Sequence, residues 1–490
     1  MYRMRDWNQL SIMANNVRYS VALDTNNRWF RLAEIMPWDK IEEHYTQNMC
    51  ADIGRRAITS RIAFGAIYAK EFLNLTDVGI VEQISENAYL QYFLGLQDFQ
   101  IAPLFDSSMM VHFRKRFSPE FIAQVNDYVC AGKWPDDNDS ITSPDDLPPS
   151  NGTEHKGQLT LDATVAPSDI RYPNDVSLLD ECRETLERFI DALWEESKKK
   201  GRRTSYNRHN AHKKHINFIK KKKKSKAAIK AALSAQLGFV EKAINRTVEL
   251  ILCCGVDALT DREWDCFDTI CHIYLQQKWM FDNGTNRCEG KVMSLSQPFV
   301  RAILRNKAKA KYEYGQKLAL SKAGGFVFVE HQSWENFNEC NTLQQSVLNY
   351  YNRFGYYPNV VLADQIYHTR GNMKFCKSKG IRLAGTGCKR KNASQSEKKR
   401  AYKDLCDRNE IEGVNGVLKR RYGLDLIMCW LQHNAEVEAH LNILAMNFQQ
   451  RLRLFLSLFR IRYFLGIPKY LILITQRFLM RFQRNIVFLQ

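Results

Sequence analysis

Residues 158–169, QLTLDATVAPSD, alternate with period two: Leu159, Leu161, Ala163 and Val165 are apolar, with Thr160, Asp162 and Thr164 between them. Such alternation predicts a strand with one face in a core and a carboxylate, Asp162, on the other. Further strand patterns follow. KYEYGQKLALS (311–321) and GGFVFVEHQSW (324–334) read as two strands joined by a turn at Lys322–Gly325, and NVVLAD (359–364) and GIRLAGTG (380–387) as two short ones. A helical pattern, TLQQSVLNYYNRFGYYP (342–358), stops at Gly355 and Pro358. Another, RNEIEGVNGVLKRRYGLD (408–425), has Gly423 placed as a helix-ending residue. The order β, helical block, β, β, α, β, α, β, α is an α/β layout, with the long helical stretch between Pro167 and Tyr312 inserted between the first two strands.

At 490 residues the chain is too long for one compact core, and two to four domains are expected. Residues 1–134 read as helical: Ile58, Ile62, Ala63, Ile67 and Phe72 fall at helical spacing, and Thr76-Asp77 offers an N-cap for the run that follows. Residues 135–156 hold four of the chain's 12 prolines among Asp, Ser and Gly, which predicts an acidic linker. The expected division is therefore a helical domain at 1–134, the linker at 135–156, and an α/β domain at 157–430 with an insertion at 176–300. A basic and apolar helical tail completes it at 431–490.

The formal charge is +18, from 71 Lys+Arg against 53 Asp+Glu. Fifteen of those cations and no acid lie between Lys198 and Lys230, and the remainder of the chain, 56 against 53, is near balance. A localised basic arm favours a polyanion partner, nucleic acid before an anionic membrane surface, with salt-sensitive contacts from residues such as Arg202, Arg203, Lys221 and Lys222. The other reading of the arm is a solvated loop. From Arg451 onward the tail carries eight Lys+Arg and no acid. It reads best as a helix against the core, with a membrane-surface amphipath or a degraded terminus as alternatives. No secretory leader and no membrane span is read. Thirteen cysteines without a Cys-x-x-Cys pair predict reduced thiols. Cys266, Cys271 and His272 come nearest to a metal pattern but lack paired spacing.

Three acids stand out. Asp162 lies on the polar parity of the first strand. Asp364 ends the run Val360-Val361-Leu362-Ala363, at the carboxyl edge where open α/β sheets place ligands. Glu412 sits within a helix, four residues after Arg408 and seven before Lys419, so the three share a face. Clustered carboxylates are hard ligands for Mg²⁺ or Mn²⁺, and a pair of such ions can activate a nucleophile and stabilise the leaving oxygen of a phosphodiester. Arg408, Lys419 and Arg420 would then neutralise phosphates. Each acid also has a plainer reading: a turn or cap residue for Asp162 and Asp364, a partner of Arg408 for Glu412. Gly413 and Gly416, costly inside a helix, call for either close approach of a nucleic-acid backbone or a helix-packing contact.

At these residues the chain resembles the DDE transposases of bacterial insertion sequences, in the insertion-sequence-5-like branch with an InsH-type N-terminal domain. The matching pieces are LTLDATVAPSDIRYPNDVSLLDECRE, SLSQPFVRAILRNKAKAKYEYGQKLALS, GYYPNVVLADQIYHTRGNMKFCKSKGIRLAG and RNEIEGVNGVLKRRYGL, with ISENAYLQYFLGLQDFQ and SSMMVHFRKRF in the N-terminal part. The resemblance spans about residues 10–450. It implies an RNase H-like catalytic domain with Asp162, Asp364 and Glu412 as first, second and third acid, binding two divalent ions, Mg²⁺ or Mn²⁺. Of the related Y-x2-R-x3-E-x6-K signature, Arg408, Glu412 and Lys419 are present and Leu405 stands at the tyrosine position. It further implies hydrolysis at the element's ends, 3′-OH strand transfer into target DNA, terminal-repeat binding by the N-terminal domain, a homodimer in a synaptic complex, and action in the bacterial cytoplasm at the nucleoid. No membrane partner is expected. The alternatives are a catalytically inactive, transposase-derived DNA-binding protein, an RNase H-like nuclease without strand transfer, and a carboxylate-pair hydrolase, which leaves the basic arm unexplained.

Overall fold

The computed structural model describes residues 23–47, 49, 57–132, 134, 141–149, 153–197, 203–204, 206–305, 312–387 and 394–464, with side chains as far as residue 454. The chain divides into two compact units: residues 1–167, 317–333 and 337–490 form the first, and 168–316 with 334–336 the second. The protein is mixed α/β, with a helical N-terminal region ahead of the sheet.

Among the described residues, the first unit opens with seven helices: α1 (Arg28–Ile35), α2 (Trp38–Thr46), α3 (Ser60–Leu73), α4 (Asp77–Glu86), α5 (Ala88–Phe93), α6 (Met109–Lys115) and α7 (Pro119–Ala131). Their starts are set by side-chain caps. Thr59, Thr76 and Ser118 accept from backbone N–H groups of the first turns of α3, α4 and α7. The helix predicted to run on from Thr76 is broken at Asn87, whose carboxamide accepts from Tyr89 N and Leu90 N and starts α5 instead.

Strand β1 (Gln158–Pro167) follows. The second unit comes next, with α8 (Asp175–Glu196), α9 (Arg208–Ile219), α10 (Lys226–Cys254), α11 (Asp261–Asp282), β2 (Arg301–Leu304) and the first residues of β3 (Tyr312–Ala323). Its core sets Leu179, Cys182, Leu186 and Ile190 of α8 against Val240 and Leu250 of α10 and Ile270 and Ile273 of α11. Strand β2 pairs antiparallel with Tyr312–Gly315; its short pattern was not read from the sequence. Much of the basic arm is helical, in α9 and the start of α10, where a loop was one expectation.

The chain returns to the first unit through β3, β4 (Phe326–Ser333), α12 (Leu343–Phe354), β5 (Val360–Leu362), α13 (Arg370–Ser378), β6 (Arg382–Ala384), α14 (Gln395–Arg421) and α15 (Gln432–Phe464). The sheet order there is β4-β3-β1-β5-β6; β3 and β4 are antiparallel, and β1, β5 and β6 parallel. Leu159, Leu161, Val361 and Ala363 share a core with Leu343, Val347 and Leu348 of α12 and Cys376 of α13. Asp162 has the opposite parity on β1, as the alternation predicted.

Two segments lie at the expected boundaries. The first unit runs through residues 135–156 rather than dividing there. Residues 141–149 are docked: Asn352 bonds the backbone of Ile141, Tyr357 Oη donates to Pro148 O at 2.5 Å, and Leu147 is buried. Backbone carbonyls meeting buried donors fix a segment whose composition suits a linker. Helix α15 packs on α3, α6, α7 and β4. Asn447 of α15 serves the edge strand β4: its Oδ1 accepts from Val327 N at 3.0 Å, and its amide donates to Val327 O (2.6 Å) and Asn126 Oδ1 (2.7 Å). An edge whose backbone groups are satisfied by a covering helix does not recruit another strand.

Candidate active site

Register brings the two aspartates together. Strands β1 and β5 are parallel with Thr160 opposite Leu362, so two residues further along, Asp162 stands beside Asp364. Asp364 lies just past the carboxyl end of β5 and is exposed; Asp162 is half-buried within β1. Tyr367 is buried nearby, and its phenol is held well above its ordinary pKa, by burial first and then by the charges of Glu339, Asp162 and Asp364.

Glu412 arrives on α14, which crosses β1, β5 and β6. A capping box formed by Ser394 and Glu397 starts this helix, Gly423 in the left-handed region follows its end, and only Asp404, Ile411 and Leu418 are buried along it. Spaced seven apart, these three form a single seam. Asp404 is locked by a two-pronged pair with Arg382 of β6, at 2.9 Å for the Nη2–Oδ1 arm.

Two residues of α14 join the acids. Asn415 Nδ2 donates to Asp162 Oδ2 at 2.8 Å. The Arg408 guanidinium reaches Asp364 Oδ1 through Nη1 (3.2 Å) and Glu412 Oε1 through Nη2 (3.4 Å). Gly385, beyond β6, makes room for this: at φ +106° it adopts a backbone that side chains avoid, and a Cβ there would lie 2.8 Å from Ala363 O and 3.3 Å from Arg408 Cδ. The plainer readings are therefore present too. Asp364 caps the short 3₁₀ turn Gln365–Tyr367, accepting from Gln365 N at 2.6 Å, and Glu412 is the i,i+4 partner of Arg408.

The donor set, three carboxylates on two adjacent strands and a crossing helix, fits a hard divalent cation. Arg408 supplies the positive charge between Asp364 and Glu412, and these two oxygens converge on an ion only when the guanidinium swings aside. Among the described residues, the one His/Cys/Asp/Glu group whose ligand atoms all lie within 4.8 Å is a different one, Asp180, Glu184 and His212. Cys266, Cys271 and His272 form no such group.

The remaining predicted residues scatter. Lys419 is half-buried and Arg420 exposed in the last turn of α14. On the second unit Lys221 and Lys222 are exposed, while Arg203 is ion-paired with Asp191 at 2.7 Å. Arg202 lies outside the described residues. Sequence reasoning missed Asn415 and Gly385; Asn415, three residues after Glu412, was recoverable from helical spacing, whereas Gly385 was not.

The fold and this edge define an α/β protein that presents an Asp-Asp-Glu set where parallel strands end beneath a helix. Residues 361–449 match the Transposase DDE domain family, and residues 17–116 match a second family, Transposase domain (DUF772). The first match contains Asp364 and Glu412, while Asp162 lies outside it. An uncharacterized protein, ORF8 in the nfe locus of Rhizobium meliloti, is 27% identical over 164 residues, covering 33% of this chain and 72% of its own length. No solved structure matches the chain. A match to an N-terminal transposase domain followed by a match to a DDE domain is the pattern typical of insertion-sequence-5-like transposases. That family acts on DNA with divalent metal ions. No helix among the described residues is long and apolar enough to cross a membrane.

Proposed function

We propose that the protein is an active insertion-sequence transposase that binds its element's terminal inverted repeats, cleaves there and joins the 3′-OH ends to target DNA. The observation that carries this reading is the linkage of Asp162, Asp364 and Glu412 through Asn415 and Arg408 at one sheet edge. The sheet, with the acid-bearing β1 between an antiparallel β3–β4 pair on one side and the parallel strands β5 and β6 on the other, supports an RNase H-like core, with residues 176–300 as its insertion. A domain division at 1–134, 157–430 and 431–490 stays a proposal about function, the first part recognising the element's ends.

Asp162, Asp364 and Glu412 would hold two Mg²⁺ or Mn²⁺ ions, which supply activation of the attacking oxygen and charge stabilisation of the leaving one. Asn415 fixes the Asp162 carboxylate in rotamer and direction. Arg408 holds Asp364 and Glu412 in place while the site is empty of substrate and, once released, is placed to meet a strand phosphate. Arg420 and Lys419 extend that positive edge along α14, and the open side of Gly413, where an added Cβ would meet nothing within 4 Å, leaves space for a phosphate backbone. The helix-packing alternative for Gly413 has no partner atom among the described residues. Lys221 and Lys222 offer sequence-independent phosphate contacts. Pairing two ends calls for two active sites, hence a homodimer in the synaptic complex, at work at the nucleoid.

The deciding experiment is cleavage and joining on labelled DNA carrying the element's end, with Mg²⁺ or Mn²⁺, for the wild type and alanine variants of the three acids. Cutting and joining by the wild type, with variants that bind the end and do neither, supports the proposal. Binding without cutting by the wild type under either metal points instead to an inactive, transposase-derived DNA-binding protein.

A further inference from the structure

From Gln395 to Lys403, α14 buries no side chain; its seam of Asp404, Ile411 and Leu418 begins only after that. These opening turns carry Lys398, Lys399, Arg400 and Lys403, all exposed, and Tyr402 at 70% exposure. Among the described residues, none of these cations has an ion-pair partner. The acids nearby are already engaged: Glu397 in the capping box, Asp404 with Arg382, Glu410 with Lys322 and Glu412 with Arg408. Folding gives no reason for such a start. Cations beside a helix N-terminus face the positive end of its dipole, and Lys399 and Lys403, one turn apart, repel each other. No burial offsets either effect, and a local conflict of this kind marks a surface kept for a partner.

The face that these residues occupy runs the length of the helix. At about 100° per residue, Lys398, Lys399, Tyr402 and Lys403 point away from the seam. Tyr402, Cys406, Asn409, Gly413, Gly416 and Arg420 follow at steps of four and three, a single stripe with no acid in it. It is small and polar in the middle and cationic at both ends. From Lys398 to Arg420 it measures about 33 Å, which is about one turn of a DNA duplex. Glu412 borders the stripe, about 20 Å from Lys399 on the same scale. A membrane surface does not fit, because α14 exposes only Tyr402 and Val417 as large apolar side chains. The same basic face of a second copy is repelled by like charge.

We infer that the opening turns of α14 are a second, remote contact for the DNA duplex whose phosphate lies at the three acids, an inference that rests on the transposase reading above. Lys398, Lys399 and Lys403 meet phosphates, and Tyr402 packs on a sugar or donates its hydroxyl to a phosphate. At about 3.4 Å per base pair, the contact falls about six base pairs from the cut. Holding the duplex at two points along one helix sets its direction over the acids.

The test measures equilibrium binding of the full chain to labelled end duplexes, with chelator present so that no strand is cut. The duplexes are shortened stepwise, from the flanking side in one series and from the element side in the other. Wild type is compared with the triple variant Lys398→Gln/Lys399→Gln/Lys403→Gln, whose changes fall at exposed positions and keep good helix formers. Circular dichroism checks its fold. On the untrimmed duplex the variant should bind at least about tenfold more weakly, with a salt slope shallower by about 2 to 3. The ratio of wild-type to variant affinity should then fall to about one, in one of the two series, once fewer than about six base pairs remain beyond the cut. A ratio already near one on the untrimmed duplex, or one that trimming never changes, overturns the contact while the transposase reading stands. A wild type that binds no end duplex overturns both. A changed oligomeric state of the variant without DNA assigns the face to another copy of the chain and overturns the contact.

Discussion

Helices α14 and α15 are successive long helices of the same unit, and they are held in opposite ways. Between Ala435 and Leu452, α15 buries Val437, Leu441, Ile443, Leu444, Ala445 and Phe448, along with Glu438, His440 and Asn447, whose polar atoms meet Lys70, Gln332 and Val327. The 27-residue α14 buries three side chains and tolerates two interior glycines. A helix packed all round is a scaffold; one held by a single seam can keep its remaining faces for a ligand. Glu412 and the cations Arg408, Lys419 and Arg420 are on the second kind.

This contrast is sharpest where substitution separates chemistry from stability. Alanine at Asp364 or Glu412, both exposed, should lower cleavage by about 10³-fold or more, an electrostatic loss at the reacting atoms. Stability should change by less than about 0.5 kcal/mol, since the sites are on the surface. Assays of strand cleavage beside urea melts check both halves, and a large stability loss would break the distinction between the helices. On α15, Asn447→Leu should do the reverse, costing about 1–3 kcal/mol by stranding Val327 N–H, while Val327 C=O keeps the Asn126 amide, as read in the same melts.

A pH titration addresses the scaffold helix next. Burial lowers the His440 pKa to about 4. Between about 4 and the unfolded value near 6.5, the unfolded chain binds the extra proton, so stability rises with pH across that window and is lost as pH falls through it. The loss attributable to His440 approaches about 3 kcal/mol at the acid end. Measured unfolding free energies should follow this slope in the wild type and flatten in His440→Gln.

Two smaller effects probe α14. Asn415→Ala should slow cleavage by about 10–100-fold while raising the Mg²⁺ concentration needed, because Asn415 acts by orienting Asp162. A rate loss with unchanged Mg²⁺ dependence would instead make Asn415 merely structural. Gly413→Ala should stabilise the helix by up to about 1 kcal/mol and still weaken end-DNA binding. A gain in stability with unaltered binding would remove the backbone-approach reading of that glycine.

The alternation around Asp162 and the apolar run before Asp364 made the strands legible, because period two and chain breakers are local signals. Stop signals at Gly355 and Gly423 were likewise local. The N-terminal start of α14 was read too late, at Arg408 rather than Gln395, since its first turns bury almost nothing and leave no apolar period. Strand β2, four residues long, has too little pattern to read. The docking of residues 141–149 could not be foreseen, because composition reports what a segment tolerates and not which buried donors it meets.

By itself the sequence determined most of the strands and helices, the basic arm and three candidate acids, all of which rest on local pattern and on residue chemistry. Only the tertiary structure decided that Asp162 stands beside Asp364, that Asn415 meets Asp162 while Arg408 ties Asp364 to Glu412, and that His215 faces Asp180. Each of those depends on strand register or helix crossing. They bring together residues far apart in the chain, and no local free-energy preference encodes such distances.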